Sequence, residues 1–358
     1  MSRLILIVPG SLAQRTGGYE YDRRMADGLR ARGWIVDVRE LDGSFPRPTP
    51  AALDDVARVL AAIPDGTTVM IDGLAFGAMP SEAEREASRL RLVALVHLPL
   101  AAEIGIDAEE AARFEASECR ALAAAGRVIV TGNATASALE RFGVRRDRIA
   151  VVEPGTDRAP LTAGSRGGTR DPLHLLTVAA ITPGKGHEIL LRALGSIPEM
   201  NWRLTCVGSL ERHPPTTARL RQTLGAGRLE DRVSLVGELD AAALAALYGT
   251  ADFFVLPSLH ETYGMVVAEA LARGLPVIGT ATGAIPDLVG ADAGLVVRPG
   301  DADALARALS SVLTDADLRD RLAAGARRVR VRLPTWDEAV DKMAAALTRP
   351  EADERFAG

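Results

Sequence analysis

Residues 252–280 read DFFVLPSLHETYGMVVAEALARGLPVIGT. The continuous apolar run at 252–258 predicts a buried strand, and a helix is predicted to begin near Gly264 and to stop at Gly274. The apolar run at 275–280 then predicts a second strand. Strand, loop, helix and strand in this order form the repeating unit of parallel α/β sheets, so this stretch predicts that class of fold.

The same alternation of strand-length apolar runs and amphipathic helices extends along the rest of the chain. The runs are continuous rather than alternating, which favours strands buried on both faces, as in a parallel sheet. A stretch rich in Gly, Pro, Thr and Arg at 153–172 interrupts the alternation and predicts a domain boundary. The eleven predicted strands lie at 4–8, 34–38, 67–71, 91–98, 127–132, 148–153, 173–179, 202–208, 232–237, 252–258 and 275–280.

The length of the chain, 358 residues, is more than one domain of about 150 residues requires and agrees with two. We therefore predict two tandem Rossmann-like, doubly wound α/β domains, at 1–160 and 161–334. Ligands of such sheets bind beyond the carboxyl ends of the strands. A cleft between the two domains is therefore the expected site.

Composition restricts the partners that this chain can have. The net charge of -5 at pH 7 provides no broad basic surface, so nucleic acid is not expected as a partner. No run approaches the ~18 apolar residues of a membrane span, so a cytoplasmic protein with at most peripheral membrane contact is expected. Cys119 and Cys206 each lack a nearby cysteine or histidine pair, which is typical of inert thiols in a reducing compartment. Nothing in the sequence favours one oligomeric state over another.

The predicted helix in the opening stretch begins with the features of an anion site. Gly264 allows a ligand to approach the backbone, and the free amides of Met265 and Val266 point out of the helix N-terminus. Glu269 lies one turn further on the same face, where its carboxylate can accept hydrogen bonds from a ribose diol. Taken alone, Glu269 is better explained as an i, i+4 surface pair with Arg273.

Glu261 and Lys185 add charge to the same candidate site. The helix dipole alone would favour an acid at Glu261, but two glutamates in a strand–loop–Gly–helix setting indicate a function. Lys185 follows the strand at 173–179 in a Gly-Lys-Gly turn and is one of two lysines among 42 basic residues. The turn is not a Walker P-loop, because His187 stands where Ser or Thr would be required. A solvated surface lysine and a phosphate-facing cation remain equal alternatives for Lys185.

Two loops of the first predicted domain carry weaker signals. Gly17 and Gly18 follow the first strand without GxGxxG spacing, so a simple turn is their default interpretation. His97 ends the strand at 91–98; a core histidine with its hydrogen bonds satisfied is the usual explanation, and a sugar or acceptor contact is the alternative. The five histidines are widely separated and form no HxxxH motif, so neither a metal site nor a metal cofactor is expected.

These motifs resemble those of the nucleotide-sugar-dependent glycosyltransferases of family 4. The E-x7-E motif and the segments after it match ETYGMVVAEALARGLPVIGTATGAIPDLV (261–289), and the upstream loop matches AAITPGKG (179–186). The first-loop glycines, the HxP strand end and the linker VVEPGTD (151–157) match as well. The resemblance implies the GT-B architecture, two Rossmann-like domains facing a cleft, with an acceptor-side first domain and a nucleotide-sugar-binding second domain. It also implies that a C-terminal helix at about 335–358 packs back on the first domain.

The resemblance also implies an activity and a set of residues. The activity is that of a retaining, metal-independent hexosyltransferase, which moves a sugar from a nucleotide-diphosphate sugar to an acceptor hydroxyl. Glu269 would bind the donor ribose, Glu261 and His97 would contact the sugar, and Lys185 with two helix amides would hold the diphosphate. The implied catalytic residues are Glu261, Lys185 and His97, and the implied substrate-binding residues are Gly17, Gly18, Tyr263, Gly264, Met265, Val266 and Glu269.

The sequence departs from the family pattern at two positions. Ala180 stands where the loop usually supplies an arginine, and Ala284 stands where a second glycine is common. The missing arginine leaves a sugar-nucleotide-binding protein with weak or absent catalysis as an alternative function. An NAD-dependent oxidoreductase is a further alternative. The absence of a GxGxxG motif and the presence of the Glu261–Glu269 pair argue against it. UDP, GDP and ADP all remain candidate donor nucleotides, and a soluble acceptor is favoured over a lipid.

Overall fold

The computed structural model describes residues 2–165 and 172–349. These residues divide into two compact units, the first formed by 2–155 and 334–349 and the second by 156–165 and 172–333. The change of unit after Gly155 lies inside the predicted boundary at 153–172, of which 166–171 fall outside the described residues.

Each unit contains one six-stranded sheet in which all paired strands are parallel. The prediction of two doubly wound parallel α/β sheets is confirmed. The first sheet has the order β2-β1-β3-β4-β5-β6 and the second the order β12-β11-β10-β7-β8-β9. The strands are β1 Arg3–Pro9, β2 Ile35–Leu41, β3 Thr68–Asp72, β4 Arg91–Val96, β5 Arg127–Val130, β6 Ile149–Val151, β7 Leu173–Val178, β8 Trp202–Val207, β9 Val233–Gly237, β10 Phe253–Leu256, β11 Val277–Thr280 and β12 Gly294–Val297.

Helices connect the strands and flank both sheets. In the second unit the strand order read from β9 is that of the dinucleotide-binding Rossmann sheet, and the first unit has the flavodoxin-like order over its first five strands. The helices are α1 Gly17–Ala31, α2 Pro50–Ala61, α3 Gly73–Phe76, α4 Pro80–Glu86, α5 Ala108–Ala124, α6 Asn133–Glu140, α7 His187–Gly195, α8 Pro214–Gly227, α9 Ala241–Thr250, α10 Met265–Ala272, α11 Ile285–Val289, α12 Ala302–Thr314, α13 Ala316–Arg330 and α14 Trp336–Thr348.

The strand order places one topological switch point in each sheet. The winding direction reverses between β1 and β3 in the first sheet and between β7 and β10 in the second. Ligands of open α/β sheets bind in the crevice outside the carboxyl ends of the strands at such a point. The loops that follow these strands are therefore the places where a site is expected.

The apolar runs of the sequence are buried on both faces, as their continuity predicts. Leu4 to Val8 of β1 are at most 1% exposed, and Ile5 and Ile7, which share one face of the strand, belong to one hydrophobic core. All eleven predicted strands are present, although the strand predicted at 91–98 ends at Val96, so that His97 follows it. The twelfth strand, Gly294–Val297, was not predicted because an apolar run of four residues does not distinguish a strand from a loop.

The last described helix packs against the first helix within the first unit. A Cβ at Gly28 of α1 would lie 2.3 Å from Val340 Cγ2 of α14, so this close approach requires glycine. Arg32 on α1 also donates to Asp341 on α14 over 2.5 Å. The helix predicted at about 335–358 is described from Trp336 to Thr348, and 350–358 lie outside the described residues. In the described ranges, no helix combines the length and the apolar character that a membrane crossing requires.

Candidate active site

The switch point of the second sheet is formed by two loops in direct contact. The loop after β7 includes a 3-10 turn at Pro183–Lys185, and the loop after β10 leads to α10. Leu259 N donates to Gly184 O over 2.8 Å, which joins the two loops. Gly186 has a φ of +69°, and a Cβ there would lie 2.0 Å from Pro257 O. Glycine is therefore required at position 186 both for the backbone conformation and for the contact.

Lys185 and Glu261 lie on these two loops and are paired. Lys185 Nζ donates to Glu261 Oε2 over 2.7 Å, and Ser258 Oγ donates to the same oxygen over 3.2 Å. The backbone amide of Glu261 donates to Thr282 Oγ1 over 3.1 Å, which fixes the residue from the loop after β11. The Lys185 side chain is 31% exposed and that of Glu261 is 14% exposed, so both groups can be reached by a ligand. The structure thus brings together two residues that the sequence predicted separately.

The N-terminus of α10 lies open beside this pair. Gly264, with a φ of +88°, is its N-cap and offers no side chain to the helix amides. Among the described residues, the amides of Met265 and Val266 have no hydrogen-bond partner. A Cβ built on Gly264 would lie 3.6 Å from Glu261 Cγ, so the acid stands next to the helix end. Free amides at a helix N-terminus bind anions such as phosphate.

The loop after β11 supports this helix end. Gly283 has a φ of +55°, and a Cβ there would lie 2.2 Å from Glu261 O, so glycine is required. Ala284 has a φ of -88°, which any residue adopts, and its amide donates to Thr262 O over 3.0 Å. The change from glycine to alanine at position 284 is therefore compatible with the backbone of this loop.

Glu269 lies one turn into α10 and is held by Tyr248. Tyr248 Oη donates to Glu269 Oε2 over 3.4 Å, and burial, together with the charge of Glu269, raises the pKa of Tyr248 well above its usual range. Arg273 Nη1 donates to the backbone carbonyl of Glu269 over 2.8 Å, and its guanidinium lies 4.2 Å from the centre of the Tyr248 ring. Tyr263 is 4% exposed and packs in the apolar core of this unit.

The neighbouring histidines do not replace the arginine that position 180 lacks. Burial, with the charge of Lys185, lowers the pKa of His187 to about 4. Burial lowers the pKa of His260 as well, against the charge of Glu261. Both rings are therefore neutral at neutral pH, and they supply no positive charge beside Lys185.

The first unit has its own cluster of polar groups at its switch point. His97, which follows β4, lies with Nε2 3.0 Å from Asp22 Oδ1 and 3.6 Å from Asp72 Oδ2. Gly17 and Gly18 are the first residues of α1, not a turn, and a Cβ at Gly18 would lie 3.3 Å from His97 Cδ2. A side chain at position 18 would therefore lie tightly against the imidazole.

Sequence reasoning missed both aspartates of this cluster. Asp72 is the last residue of β3, and a polar group at the carboxyl end of a buried strand was a usable signal. Asp22 lies in the middle of α1, where an acid is ordinarily a surface residue, and only the fold shows that it is fully buried. Asp22, Asp72 and His97 offer ligand atoms within 4.8 Å of one another, a set of ligand types that divalent cations accept.

Comparison with known proteins identifies the second unit. Residues 166–329 match the family model described as "Glycosyl transferases group 1". This part of the chain is therefore similar to group 1 glycosyl transferases. The group 1 match includes both loops of the switch point, Lys185, Glu261, Glu269 and the N-terminus of α10.

The curated proteins to which the chain is similar are glycosyltransferases by name. The chain is 33% identical over 241 residues to the D-inositol 3-phosphate glycosyltransferase of Xylanimonas cellulosilytica. This match covers 63% of the present chain and 57% of that protein. It is 32% identical over 264 residues to the protein of the same name from Mycolicibacterium smegmatis. This match covers 70% of the present chain and 58% of that protein. The matched region thus spans less than two thirds of the length of these relatives.

Solved structures show that the fold is that of GT-B glycosyltransferases. A sucrose-phosphate synthase from Thermosynechococcus elongatus superimposes with a TM-score of 0.81 at 24% identity, over 96% of this chain and 98% of that one. HepE of Anabaena in complex with UDP-glucose gives a TM-score of 0.77 at 19% identity. The superposition covers 96% of this chain and 99% of HepE. The chain therefore has the fold of GT-B glycosyltransferases.

Proposed function

We propose that this protein is a glycosyltransferase that moves a hexosyl group from a nucleotide-diphosphate sugar to an acceptor hydroxyl, without a metal and with retention of configuration. The observation that supports this most strongly is the switch point of the second sheet. There Lys185, Glu261 and the open amide end of α10 come together. The names of the curated relatives and the UDP-glucose bound by a protein of the same fold support the same class of donor.

The roles follow from the charge of each group. A diphosphate suits the amides of Met265 and Val266 and the ammonium of Lys185, because all of them are donors or cations. Glu269 suits the ribose diol, since a carboxylate accepts two hydrogen bonds and Tyr248 already orients it. Glu261 lies between Lys185 and the helix end and suits the hydroxyls of the donor sugar.

Catalysis in this proposal depends on charge stabilisation. When the bond between sugar and phosphate breaks, negative charge grows on the leaving diphosphate, and fixed donors stabilise it without reorganising. Departure of the nucleotide and attack by the acceptor on the same face of the sugar would retain the configuration. We assign the donor to the second unit and the acceptor to the first, in which His97, Gly17 and Gly18 lie at the switch point.

The alternative function is sugar-nucleotide binding with little or no turnover. Ala180 favours this alternative, because a second cation would otherwise help to hold the diphosphate. Binding of a nucleotide is common to both functions, whereas only an enzyme would release a glycosylated product.

Two measurements test the proposal. A thermal-shift panel of UDP, GDP, ADP and NAD should show stabilisation by one nucleoside diphosphate; a ligand at 100 times its Kd adds about 2.7 kcal/mol. NMR of the product formed from the matching sugar nucleotide should then show the anomeric configuration of the donor. Stabilisation by NAD alone would favour an oxidoreductase, and an inverted product would exclude the retaining mechanism.

A further inference from the structure

The buried cluster of the first unit lies where a ligand site is expected. Asp72 ends β3, His97 follows β4, and Asp22 lies on α1, the helix that follows β1. The strands β1, β3 and β4 are adjacent, and the switch point of the sheet lies between β1 and β3. The three side chains therefore meet at the edge of the sheet at which open α/β folds bind ligands.

The His97 ring is fixed on one side and accessible on the other. Its Nε2 is held by Asp22 at 3.0 Å and lies 3.6 Å from Asp72, while the ring of Tyr21 stands edge-on with centroids 5.3 Å apart. Gly18 contacts the ring from the start of α1. Among the described residues Nδ1 has no hydrogen-bond partner and is not a buried atom, and the side chain is 20% exposed. Nδ1 is therefore the ring nitrogen that is available to form a hydrogen bond with a substrate.

The charges around the ring favour its protonated form. Asp22 is fully buried, and its Oδ2 has no partner among the described residues, so the His97 ring is the group that balances its charge. Burial alone would lower the pKa of His97, but Asp22, through charge and hydrogen bond, and then Asp72 raise it above the ordinary value of 6.5. Burial and the charge of Asp22 raise the pKa of Asp72 to about 7.

We propose that Asp22 is a positioning residue of the active site. With Asp72, it holds the imidazole of His97 by Nε2 in the charged form, so that Nδ1–H is presented to the substrate as a cationic hydrogen-bond donor. The reacting partner of this donor is an oxygen of the sugar nucleotide or of the acceptor, which rests on the function proposed above. A ring protonated on both nitrogens has no free lone pair. His97 therefore acts as a donor at neutral pH and does not take the acceptor proton.

NMR of the histidine rings tests the charge state without any need for activity. The chain has five histidines, of which only His97 lies in the first unit, so the other four serve as internal controls. In the unmodified protein, nitrogen shifts at neutral pH should show both ring nitrogens of His97 protonated, with a titration midpoint above 6.5. Asp22→Asn keeps an oxygen for Nε2–H but removes the charge, while the burial remains. Its midpoint should fall, because the charge of Asp22 that raises the pKa of His97 is removed, so that Nδ1 loses its proton at a lower pH.

Two outcomes of this measurement would overturn the proposal. One is a His97 midpoint that Asp22→Asn leaves unchanged, which would show that Asp22 does not set the charge. The other is a shift or broadening of the His97 signal on addition of Mg²⁺, Mn²⁺ or Zn²⁺ that Asp72→Asn abolishes, which would make the cluster a metal site. A signal unaffected by these ions supports the proton-binding cluster.

Turnover at different pH values tests the consequence for the reaction. Asp22→Asn should lower turnover about 10²-fold at neutral pH, as loss of one donor to a transition state does. Activity should recover towards acidic pH, where the ring becomes protonated again. A purely structural defect would not recover. Equal loss at every pH in a protein with an unchanged Tm would contradict the positioning role. Absence of turnover in the unmodified protein would contradict the proposed function, while the NMR result would still decide the charge of His97.

Discussion

Lys185 Nζ donates a hydrogen bond to Glu261 Oε2 over 2.7 Å, across the two loops that follow the adjacent strands β7 and β10. The cation proposed for the diphosphate and the acid proposed for the sugar are thus partners in the protein itself. The pair holds both side chains at the open end of α10. An incoming diphosphate would compete with Glu261 for Lys185, so the effects of the two residues should not be additive.

Substitution of Lys185 should affect turnover more than binding. Lys185→Ala is expected to lower turnover about 10²–10³-fold, because the ammonium stabilises charge that grows as the sugar–phosphate bond breaks. Nucleotide affinity should fall less, and Lys185→Arg should rescue only in part, since a planar fork replaces a compact charge. Steady-state kinetics and calorimetry measure the two effects. Lys342→Ala, at an exposed position of α14, is the matched control. Full activity of Lys185→Ala would show that this loop does not bind the diphosphate.

Substitution of Glu269 should instead weaken nucleotide binding. Glu269→Ala removes two hydrogen bonds from a ribose to a charged acceptor, a loss of roughly 2–4 kcal/mol. Titration calorimetry with the preferred nucleoside diphosphate measures this loss, with Glu109→Ala, at an exposed position of α5, as the control. Glu261→Ala should chiefly lower turnover. An unchanged affinity in Glu269→Ala would show that Glu269 does not bind the ribose.

Removal of metal ions should leave activity unchanged. The proposed diphosphate ligands are amides and an ammonium, which provide the positive charge that a divalent cation would otherwise supply. Turnover in the presence of a chelator should therefore equal turnover in untreated protein. Activity that a chelator abolishes and Mg²⁺ or Mn²⁺ restores would be incompatible with this mechanism.

The contact between the two loops should be sensitive to a single methyl group. Gly186→Ala places a Cβ 2.0 Å from Pro257 O and forces a left-handed conformation that alone costs about 1–2 kcal/mol. A lower Tm and a loss of nucleotide binding are expected, because Lys185 is carried by the same turn. Gly195→Ala is the control, since nothing lies within 4 Å of a Cβ at that end of α7. Equal Tm values for the two variants would mean that the loops are not in contact.

Stability of the first unit should depend on the protonation of Glu118. This residue is 1% exposed and accepts from Leu100 N over 3.0 Å, and burial raises the pKa of its carboxyl to about 8 despite that bond. The folded state binds this proton more tightly than the unfolded state does. The stability that protonated Glu118 contributes is therefore complete below pH 4.5 and is lost as the pH rises through about 8. The loop that begins at Leu100 directly follows the HxP segment of His97.

Glu118→Gln should remove this dependence, since the amide keeps an oxygen for Leu100 N and carries no charge. Its Tm should exceed that of the unmodified protein at alkaline pH, and the difference should vanish in acid. Glu109→Gln, whose carboxylate is 85% exposed, should show no such trend. A difference in Tm that is the same at every pH would mean that Glu118 is ionised in the folded protein.

Most of the fold could be read from the sequence because it depends on local patterns. Continuous apolar runs predicted eleven of the twelve strands and their burial on both faces. The strand–loop–Gly–helix pattern placed Gly264 at the start of α10 within one residue. The candidate site of the second unit could be predicted for the same reason, since it includes Glu261, Met265, Val266 and Glu269, which lie within nine consecutive residues of sequence.

Contacts between distant parts of the chain were decided only by the tertiary structure. The strand order brings the loops after β7 and β10 together, and only this juxtaposition pairs Lys185 with Glu261 across 76 residues. The same holds for His97 and Asp22, which lie 75 residues apart. A sequence pattern shows which residues share one helix face or one strand, but burial and electrostatic neighbours depend on which elements pack side by side. For that reason the charge state of His97 follows from the fold and not from the histidine itself.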